Sequence, residues 1–574
     1  MSSTRGDVMD ARNLLISTAL ALAVGTVGVS CSFLATPISE QIEYVIEGEQ
    51  VELRDPMRPA RGAPRVLVFA LDSVGRDAFR RGVDSGELAQ VARLLGERRA
   101  HDTYEHAYMA RDALTTLPSV TIPAWTSVYT GRPPADTGIP GNEWYDRQTS
   151  SFFAPAPTTV GDHDHIIRIL TDNFLNNQLE VPTLFELAKV RSFVAMAPVY
   201  EGADLFTKPD LDEILPVLGG IAEGVVGPNS VDREIYAELD EEAADGAVDA
   251  IEEHGVADLQ VLYLPGIDLY THVAKRPKQS QRRYMREVID PLIGEVLDAY
   301  RERGALDDTY VLFISDHGFT PTKNDDRHAL EWDGRDEPPQ VLRHAGFRVR
   351  RDKLEVDDDE RDYSAVVAYQ GAMSYIYLAD RSTCARRGSR CDWTKPPRFD
   401  EDVLEVVRAF HANNALGWPV RELQGTLDLI LARRPVPAGQ DAGPFEVWDG
   451  QKLVPIDRYV AEHGRDDLLD FDRRMRQLAA GPYGHRVGDV VLLSKAGMGR
   501  RIDDRYYFSE PYRSWHGSAH EADSLVTFTL AHPTRSGDEL RELVRGVAGD
   551  GLDVLDVTPL VLTLLEKDGD LSHD

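Results

Sequence analysis

Clusters of positive charge are absent from this sequence. Lys and Arg together number 63 against 96 Asp and Glu, so the 574-residue chain has a formal net charge of −33. Nucleic-acid binding depends on clustered Lys and Arg that neutralise phosphates, and no such block is present. We therefore expect no nucleic-acid partner, and expect instead a small-molecule ligand or cations held locally by carboxylates.

Internal repeats and the composition of a disordered chain are also missing. Hydrophobic residues make up 42% of the sequence and aromatic residues 8%, as in ordinary globular proteins. No repeat period is visible. The length suffices for two or more domain-sized units, or for one large α/β core that carries an insertion.

The apolar run near the start, LLISTALALAVGTVGVSC (residues 14–31), is too short and too rich in small residues to indicate a membrane span. It follows Arg5 and Arg12, and this pattern is typical of a bacterial export signal that ends at a lipidated cysteine. We expect an exported protein in the periplasm or at the cell surface, with Cys31 as its mature N-terminus.

The cysteine box itself leaves alternatives open. Gly28 stands where such boxes usually have Leu, so simple cleavage or an uncleaved anchor are also compatible with the sequence. We assign residues 1–34 to the export signal or lipoprotein-type anchor, which would be the only membrane attachment. The polar and acidic residues 35–60 are assigned to a linker.

Only three cysteines occur in the chain. Cys384 and Cys391 are separated by six residues in CARRGSRC, a spacing that can close a small disulfide loop in an oxidising compartment. Two free thiols are the alternative, and the spacing alone does not decide between them.

Continuous apolar runs indicate buried strands. The first, RVLVFALD (65–72), ends in an acid, as a fully buried parallel strand before a site often does. Similar runs are SFVAMAP (192–198), LQVLYLP (259–265), TYVLFISD (309–316), SYIYLA (374–379), DVVLLS (489–494) and LVTFTLA (525–531). Helical patterns lie between several of them, at 181–190, 231–255 and 284–304, and the last two stop at a glycine.

This alternation predicts an α/β fold, a mostly parallel sheet with helices on both faces. Residues 336–485 are richer in charge, Pro and Gly, and include a possible hairpin at FEVWDGQKLVPI (445–456). We predict a catalytic core in two parts, 61–335 and 486–574, with 336–485 as an insertion or cap.

Acids and histidines follow several of the predicted strands. Because ligands bind at the carboxyl ends of strands in such sheets, Asp72, Asp268 and Asp316 are expected at one edge. His272 lies four residues after Asp268, on the same face of a helical turn, and His317 follows Asp316 directly. A further histidine, His516 or His520, precedes the last strand. Three Asp and three His form a ligand set that suits two zinc ions.

The stretch TTLPSVTIPAWTSVYTG (115–131) is rich in hydroxyl groups and reads poorly as a buried strand or an amphipathic helix. Pro123 stops strand pairing, so the hydroxyl of Thr121 can lie at the turn that enters a helix, where the first amides point toward bound anions. The competing hydroxyls are those of Thr115, Thr116, Ser119, Thr126 and Ser127.

Several motifs together resemble the alkaline phosphatase superfamily, within it the type I phosphodiesterase and nucleotide pyrophosphatase group. They are VLVFALDSVGRD, TLPSVTIPAWTSVYTGRPPADTGIPGNEWYD, GIDLYTH, ISDHGF, WHGS followed by an Asp and an apolar strand, and DVLDVTPLVLTLLEKDG. The resemblance covers about 64–330 and 486–568 well, and implies an alkaline-phosphatase-like fold and a zinc-dependent phosphoester hydrolase with two Zn²⁺.

The resemblance also implies roles for individual residues. Thr121 matches the nucleophile, which binds one zinc and forms a phosphothreonine. Asn142 matches an amide that donates a hydrogen bond to a phosphoryl oxygen. The implied ligands are Asp72, Asp316 and His317 for the zinc that Thr121 contacts, and Asp268, His272 and His516 for the second zinc. His516, in the HGS pattern, is preferred to His520.

Positions at which this chain differs from the relatives it resembles bear on the substrate class. Phosphatase-like relatives carry a Lys and an Arg after the strand that matches SFVAMAP, where this chain has Glu201 and Asp204. Their absence favours phosphodiesters or nucleotide pyrophosphates, whose reacting phosphorus carries less charge. Ala124, where pyrophosphatases commonly have Asn, points the other way. A phosphomonoesterase is therefore the alternative, ahead of a phospho-group transferase or a non-catalytic surface protein; CARRG lacks the proline of a sulfatase motif.

Overall fold

The structure is a computed structural model that describes residues 56–156, 173, 175–208, 233–330, 338–351, 361–386, 388–437, 440–549 and 551–566. The expected export signal, Cys31 and most of the expected linker lie outside the described residues. Among the described residues, no helix combines the length and the apolar character that crossing a membrane requires.

Seventeen strands are described. They are β1 (Arg65–Leu71), β2 (Ala107–Met109), β3 (Trp144–Asp146), β4 (Ser151–Phe153), β5 (Ser192–Ala195), β6 (Leu205–Thr207), β7 (Leu259–Leu264), β8 (Thr309–Ile314), β9 (Thr320–Pro321), β10 (Ala365–Gln370), β11 (Met373–Leu378), β12 (Leu427–Ala432), β13 (Glu446–Trp448), β14 (Leu453–Pro455), β15 (Val490–Ser494), β16 (Ser514–Trp515) and β17 (Phe528–Ala531).

Sixteen α-helices are described. They are α1 (Arg76–Asp84), α2 (Ala89–Leu95), α3 (Thr121–Thr130), α4 (Pro134–Thr137), α5 (Leu184–Ala188), α6 (Glu234–His254), α7 (Gly266–Val273), α8 (Pro277–Tyr284), α9 (Asp290–Glu302), α10 (Pro338–His344), α11 (Leu404–Leu416), α12 (Ile456–His463), α13 (Phe471–Ala479), α14 (Glu521–Ser524), α15 (Gly537–Ala548) and α16 (Val557–Leu564).

A seven-stranded sheet forms the larger core, in the order β2-β17-β8-β1-β7-β5-β6. The pairs from β8 to β6 are parallel, and β17 alone runs antiparallel to its neighbours. Strands β1, β7 and β8 are almost wholly buried, because helices such as α6 and α16 pack against the sheet. The predicted α/β fold with a mostly parallel sheet is confirmed.

Parallel pairing brings the ends of three strands to one edge. Ala70 of β1 pairs with Tyr263 of β7 and with Ile314 of β8. The segments that follow these strands therefore leave the sheet side by side. They are the segments that carry the acids identified in the sequence.

A second, antiparallel sheet of six strands has the order β10-β11-β15-β12-β13-β14. The predicted hairpin at 445–456 is its pair β13–β14. Alternate residues of β11 enter different hydrophobic clusters, Tyr375 on one face and Ile376 on the other, so both faces are covered. This double burial explains why SYIYLA reads as a continuous apolar run.

The second sheet also contains DVVLLS as β15, Val490–Ser494. This strand lies after residue 485, where the sequence placed the return to the catalytic core. The sequence therefore placed this strand in the wrong sheet, because a strand buried on both faces looks the same in sequence whichever sheet it joins.

Cys384 and Cys391 are joined by a disulfide, which decides between the two alternatives left open by their spacing.

Candidate active site

The ends of β1 and β8 bring one group of possible metal ligands together. Asp72 follows β1 directly, and Asp316 and His317 follow β8. Nε2 of His317 lies 3.1 Å from Oδ2 of Asp316 and 3.6 Å from Oδ1 of Asp72. All three side chains are buried, and one ligand atom from each lies within 4.8 Å of the others.

A second group lies beside it. Asp268 is on α7, directly after β7, and His516 follows β16. Ligand atoms of Asp268, His317 and His516 also lie within 4.8 Å of one another, so His317 belongs to both groups. The rings of His317 and His516 stack with centroids 3.7 Å apart.

His272 lies at the side of this second group. It is one turn after Asp268 on α7, and its Nε2 is 2.9 Å from Oδ2 of Asp268. Its ring centroid lies 5.2 Å from that of His516. The i, i+4 spacing therefore does put both α7 side chains on one face, although His317 rather than His272 completes the compact group of three.

The electrostatics of the site favour a bound cation. Within the described part of the chain, Oδ1 of Asp72, Oδ1 of Asp268 and Oδ2 of Asp316 are buried and accept no hydrogen bond. Burial raises the pKa of Asp72 well above its usual value, and repulsion from Asp316 and Asp268 adds to the shift. Burial likewise raises the pKa of Asp316. Three carboxylates so placed, with imidazoles and no thiolate, fit zinc.

Backbone carbonyls orient the three imidazoles. Nδ1 of His317 lies 3.0 Å from the Gly318 oxygen, Nδ1 of His272 lies 2.8 Å from the Ser514 oxygen, and Nδ1 of His516 lies 3.1 Å from the Ser119 oxygen. A proton on each Nδ1 satisfies these contacts and leaves Nε2 as the acceptor. Burial also lowers the pKa of His516 well below its usual value, which keeps the ring neutral, as a ligand must be.

Thr121 is the first residue of α3, and its hydroxyl faces the same groups. Its Oγ1 lies 3.2 Å from Nε2 of His317. Thr121 is partly exposed, whereas the surrounding acids and histidines are buried, so a substrate can reach it. Two competing hydroxyls are bonded elsewhere: Ser119 donates to the Ser518 oxygen and Thr126 to the Pro123 oxygen.

Asn142 lies against the start of α3. Its Oδ1 accepts a hydrogen bond of 3.1 Å from the backbone N–H of Ile122, the residue after Thr121. The carbonyl end of the amide is therefore engaged with the helix, and the NH₂ end is the donor that can serve a ligand. This contact brings the two predicted catalytic residues together although they are 21 positions apart in the sequence.

His520, the alternative to His516, lies away from these groups. Its Nδ1 is 3.1 Å from the backbone oxygen of Asp467, on the side of the second sheet.

Two residues at the site were missed in the sequence. Tyr263 donates a hydrogen bond to Oδ2 of Asp72, and its sequence signal is weak, a single aromatic residue near the end of the strand LQVLYL. Gln370 contacts Asn142, and no sequence motif marks it.

Comparisons with known proteins identify the family of this chain. Residues 66–382, more than half of the chain, match the family described as type I phosphodiesterase / nucleotide pyrophosphatase. The chain belongs to this family. The match confirms the resemblance found in the sequence, and with it the place of this phosphodiesterase-family chain in the alkaline phosphatase superfamily.

Individual relatives are distant. An uncharacterized pyrophosphatase/phosphodiesterase of Schizosaccharomyces pombe is 24% identical over 310 residues, which are 53% of this chain and 54% of that protein. The chain thus spans about half the length of this curated relative.

Solved structures match over more of the chain. Human ectonucleotide pyrophosphatase / phosphodiesterase 5 shares 13% identity with a TM-score of 0.50, covering 89% of this chain and 96% of that one. Phosphonoacetate hydrolase of Sinorhizobium meliloti, in complex with phosphonoformate, shares 16% identity with a TM-score of 0.45, covering 90% and 99%. At this identity the human structure shows a common fold.

Proposed function

We propose that this protein is a zinc-dependent phosphoester hydrolase that works through a phosphothreonine at Thr121, on phosphodiesters or nucleotide pyrophosphates. The observation that carries the proposal is the 3.2 Å contact between Oγ1 of Thr121 and Nε2 of His317, a histidine that both candidate metal groups share. A nucleophilic hydroxyl must lie next to the positive charge that activates it, and Oγ1 of Thr121 lies next to a candidate zinc ligand.

Two ligand sets are proposed for zinc. Asp72, Asp316 and His317 would hold the ion nearest Thr121, and Asp268, His272 and His516 would hold the second. When bound, the two ions supply the positive charge that acidifies a hydroxyl or water and neutralises phosphoryl oxygens. The carboxylate oxygens that accept no hydrogen bond within the described residues support these assignments.

The residues of the chain divide the reaction between them. Oγ1 of Thr121 bonds to phosphorus while the bond to the leaving oxygen breaks, and the proton lost by Oγ1 ends on that leaving oxygen. Water then attacks the phosphothreonine, the Oγ1–P bond breaks, and the hydroxyl is restored. The NH₂ group of Asn142, whose Oδ1 is occupied by the Ile122 N–H, would donate a hydrogen bond to a nonbridging phosphoryl oxygen.

The charge around β5 supports a diester or pyrophosphate. The segment that leaves the site end of β5, residues 196–200, reads MAPVY and has no positive charge. Asp204 is at the opposite end of the strand, where its Oδ2 accepts from Ser192 N–H and from Arg58. The segment therefore offers no cation for the extra negative oxygen of a monoester, which makes the phosphomonoesterase the second candidate.

The deciding experiment compares zinc-dependent hydrolysis of a bis-aryl phosphodiester with that of the matching aryl monoester. We expect the diester to be hydrolysed faster, and we expect Thr121→Ala to abolish both rates. Thr126→Ala is the matched control, because it removes a hydroxyl of the same helix that, among the described residues, donates to the Pro123 oxygen. Faster monoester hydrolysis would establish a phosphatase, and rates that survive in Thr121→Ala would refute the proposed nucleophile.

We also propose that the protein is exported and held at the membrane through Cys31. The support is the apolar segment 14–31 and its terminal cysteine. Labelling with a fatty-acid analogue in a bacterial host tests it, with Cys31→Ser as the control. A labelled wild type and an unlabelled variant are expected, and an unlabelled, released wild type would indicate simple cleavage instead.

A further inference from the structure

The hairpin β10–β11 of the second sheet reaches into the candidate active site. β10 ends at Gln370 and β11 begins at Met373, so the tight turn between them consists of Gly371 and Ala372. Gln370 is completely buried. This hairpin belongs to the region in which the sequence shows no catalytic motif.

The side chain of Gln370 binds two main-chain groups, one of Asn142 and one of Glu143. Its Oε1 accepts a hydrogen bond of 2.7 Å from the N–H of Asn142, and its Nε2 donates to the backbone oxygen of Glu143. Both ends of the amide are thus engaged with main-chain groups. Two hydrogen bonds from one planar amide fix both the position and the orientation of the bound backbone, because the backbone cannot rotate about one bond without breaking the other.

The atoms around this contact are tightly packed. Gly141 lies against Gln370 so closely that a Cβ at position 141 would overlap Oε1 and the carbon that bears it. The next residue of the turn, Gly371, has a positive φ of 66°, and a Cβ there would overlap the backbone oxygen of His516. Ala372 N–H donates to that same oxygen at 3.2 Å. One turn of the second sheet therefore contacts both the Asn142 segment and the His516 segment.

We propose that Gln370 is a positioning residue for the reaction, which acts through Asn142. It fixes the backbone of Asn142, whose Oδ1 is held by Ile122 N–H, so the NH₂ group has a single direction beside Thr121. The inference rests on the proposed function, since it assumes that the NH₂ of Asn142 serves a phosphoryl oxygen. Through Gln370 the second sheet would contribute to the reaction without providing a metal ligand.

The test is a double-mutant cycle on the zinc-loaded enzyme with Gln370→Leu, Asn142→Ala and the pair. We expect Gln370→Leu to lower kcat for the diester by about 10- to 100-fold with little change in KM, as for a misplaced oxyanion donor. In the Asn142→Ala background the same change is expected to cost less than about twofold, because the group it orients is gone.

Gln260→Leu is the matched control. Gln260 is equally buried, its Nε2 donates to the Ala247 oxygen and its Oε1 accepts from Tyr300, but it is near the start of β7, at the opposite edge of the sheet. We expect it to lower the thermal midpoint as much as Gln370→Leu while leaving kcat unchanged. Equal losses of kcat from Gln370→Leu in both backgrounds, or loss of zinc from that variant, would overturn the inference.

A crystal structure of Gln370→Leu separates this inference from the proposed function. A shifted or rotated Asn142 side chain supports the positioning role even if the wild type hydrolyses no phosphoester, in which case only the proposed function fails. An Asn142 that keeps its place beside Ile122 overturns the positioning role whatever the activity.

Discussion

Oγ1 of Thr121 and Nε2 of His317 lie 3.2 Å apart across a sequence separation of 196 residues. The contact joins the first residue of α3 to the segment that follows β8. Parallel pairing places the histidine at the edge of the sheet, and the turn before α3 brings the hydroxyl to it. The proposed nucleophile is thus defined by the meeting of two elements, neither of which identifies it alone.

Replacing the hydroxyl is therefore expected to stop turnover without unfolding the protein. Thr121→Ala should lower kcat by at least about 1000-fold, whereas Thr121→Ser, which keeps a nucleophilic oxygen, should retain measurable activity. Mass spectrometry after rapid acid quenching should find phosphate on Thr121 in the wild type. Phosphate on Thr126, or on no hydroxyl at all during turnover, would contradict the assignment.

Neutralising Asp72, a proposed zinc ligand, should affect metal binding and metal-free stability in opposite directions. Burial and repulsion from Asp316 and Asp268 raise the pKa of Asp72, so its negative charge destabilises the metal-free fold. In metal-stripped protein at pH 8, Asp72→Asn should be more stable than the wild type by about 1 to 3 kcal/mol. The same variant should bind less zinc, which calorimetric titration measures.

Asp204→Asn provides the contrast for that experiment. Asp204 is also completely buried, but Arg58 and the backbone N–H of Ser192 satisfy its charge. Its replacement should lower stability in the presence and in the absence of zinc. If Asp72→Asn behaved in the same way, Asp72 would be a structural residue rather than a ligand.

The turn of the second sheet should be intolerant of a methyl group. Gly371→Ala places a Cβ against the backbone oxygen of His516, so we expect lower zinc content and lower activity. Gly464 has a similar φ of 60° but nothing within 4 Å of its Cβ position. Gly464→Ala should therefore cost only the about 1 to 2 kcal/mol of the left-handed conformation, with zinc content unchanged. Equal zinc contents in the two variants would show that the turn does not support His516.

The larger sheet was predictable because its strands carry local signals. RVLVFALD, LQVLYLP and TYVLFISD are buried on both faces, and the rule that ligands lie at the carboxyl ends of parallel strands then places Asp72, Asp268 and Asp316 together. Tyr263 was not predictable as a partner of Asp72, because the register of β1 against β7 decides which side chain stands beside the acid.

The second sheet was less accessible to sequence reasoning for a physical reason. Its strands alternate between two hydrophobic clusters, so DVVLLS carries no mark of the sheet it joins. The side chain of Gln370 binds the backbone of Asn142, which is 228 positions away in the sequence. Any residue type offers the same backbone N–H, so such a contact leaves little trace in the sequence around Asn142. Such a residue is found only when the two segments are seen together.

A buried carboxyl behind α7 predicts a pH-dependent stability. Asp240 is completely buried, its Oδ1 accepts from Gly266 N–H at the first residue of α7, and its Oδ2 accepts from Tyr284. Burial raises the pKa of Asp240 from 3.8 to about 7, and the neighbouring charge of Glu241 adds to the shift, while the two hydrogen bonds oppose it.

The sign of the effect follows from linkage. A carboxyl with a raised folded-state pKa stabilises the fold below its unfolded pKa, near 4, and that contribution is lost as the pH rises through about 7. The full loss is about 4 kcal/mol by pH 9. Asp240→Asn, which cannot ionise, should therefore have a thermal midpoint that falls less between pH 5 and pH 9 than that of the wild type. Parallel pH profiles would show that Asp240 is ionised throughout, with its charge fully satisfied by Gly266 and Tyr284 at the start of the helix that carries Asp268 and His272.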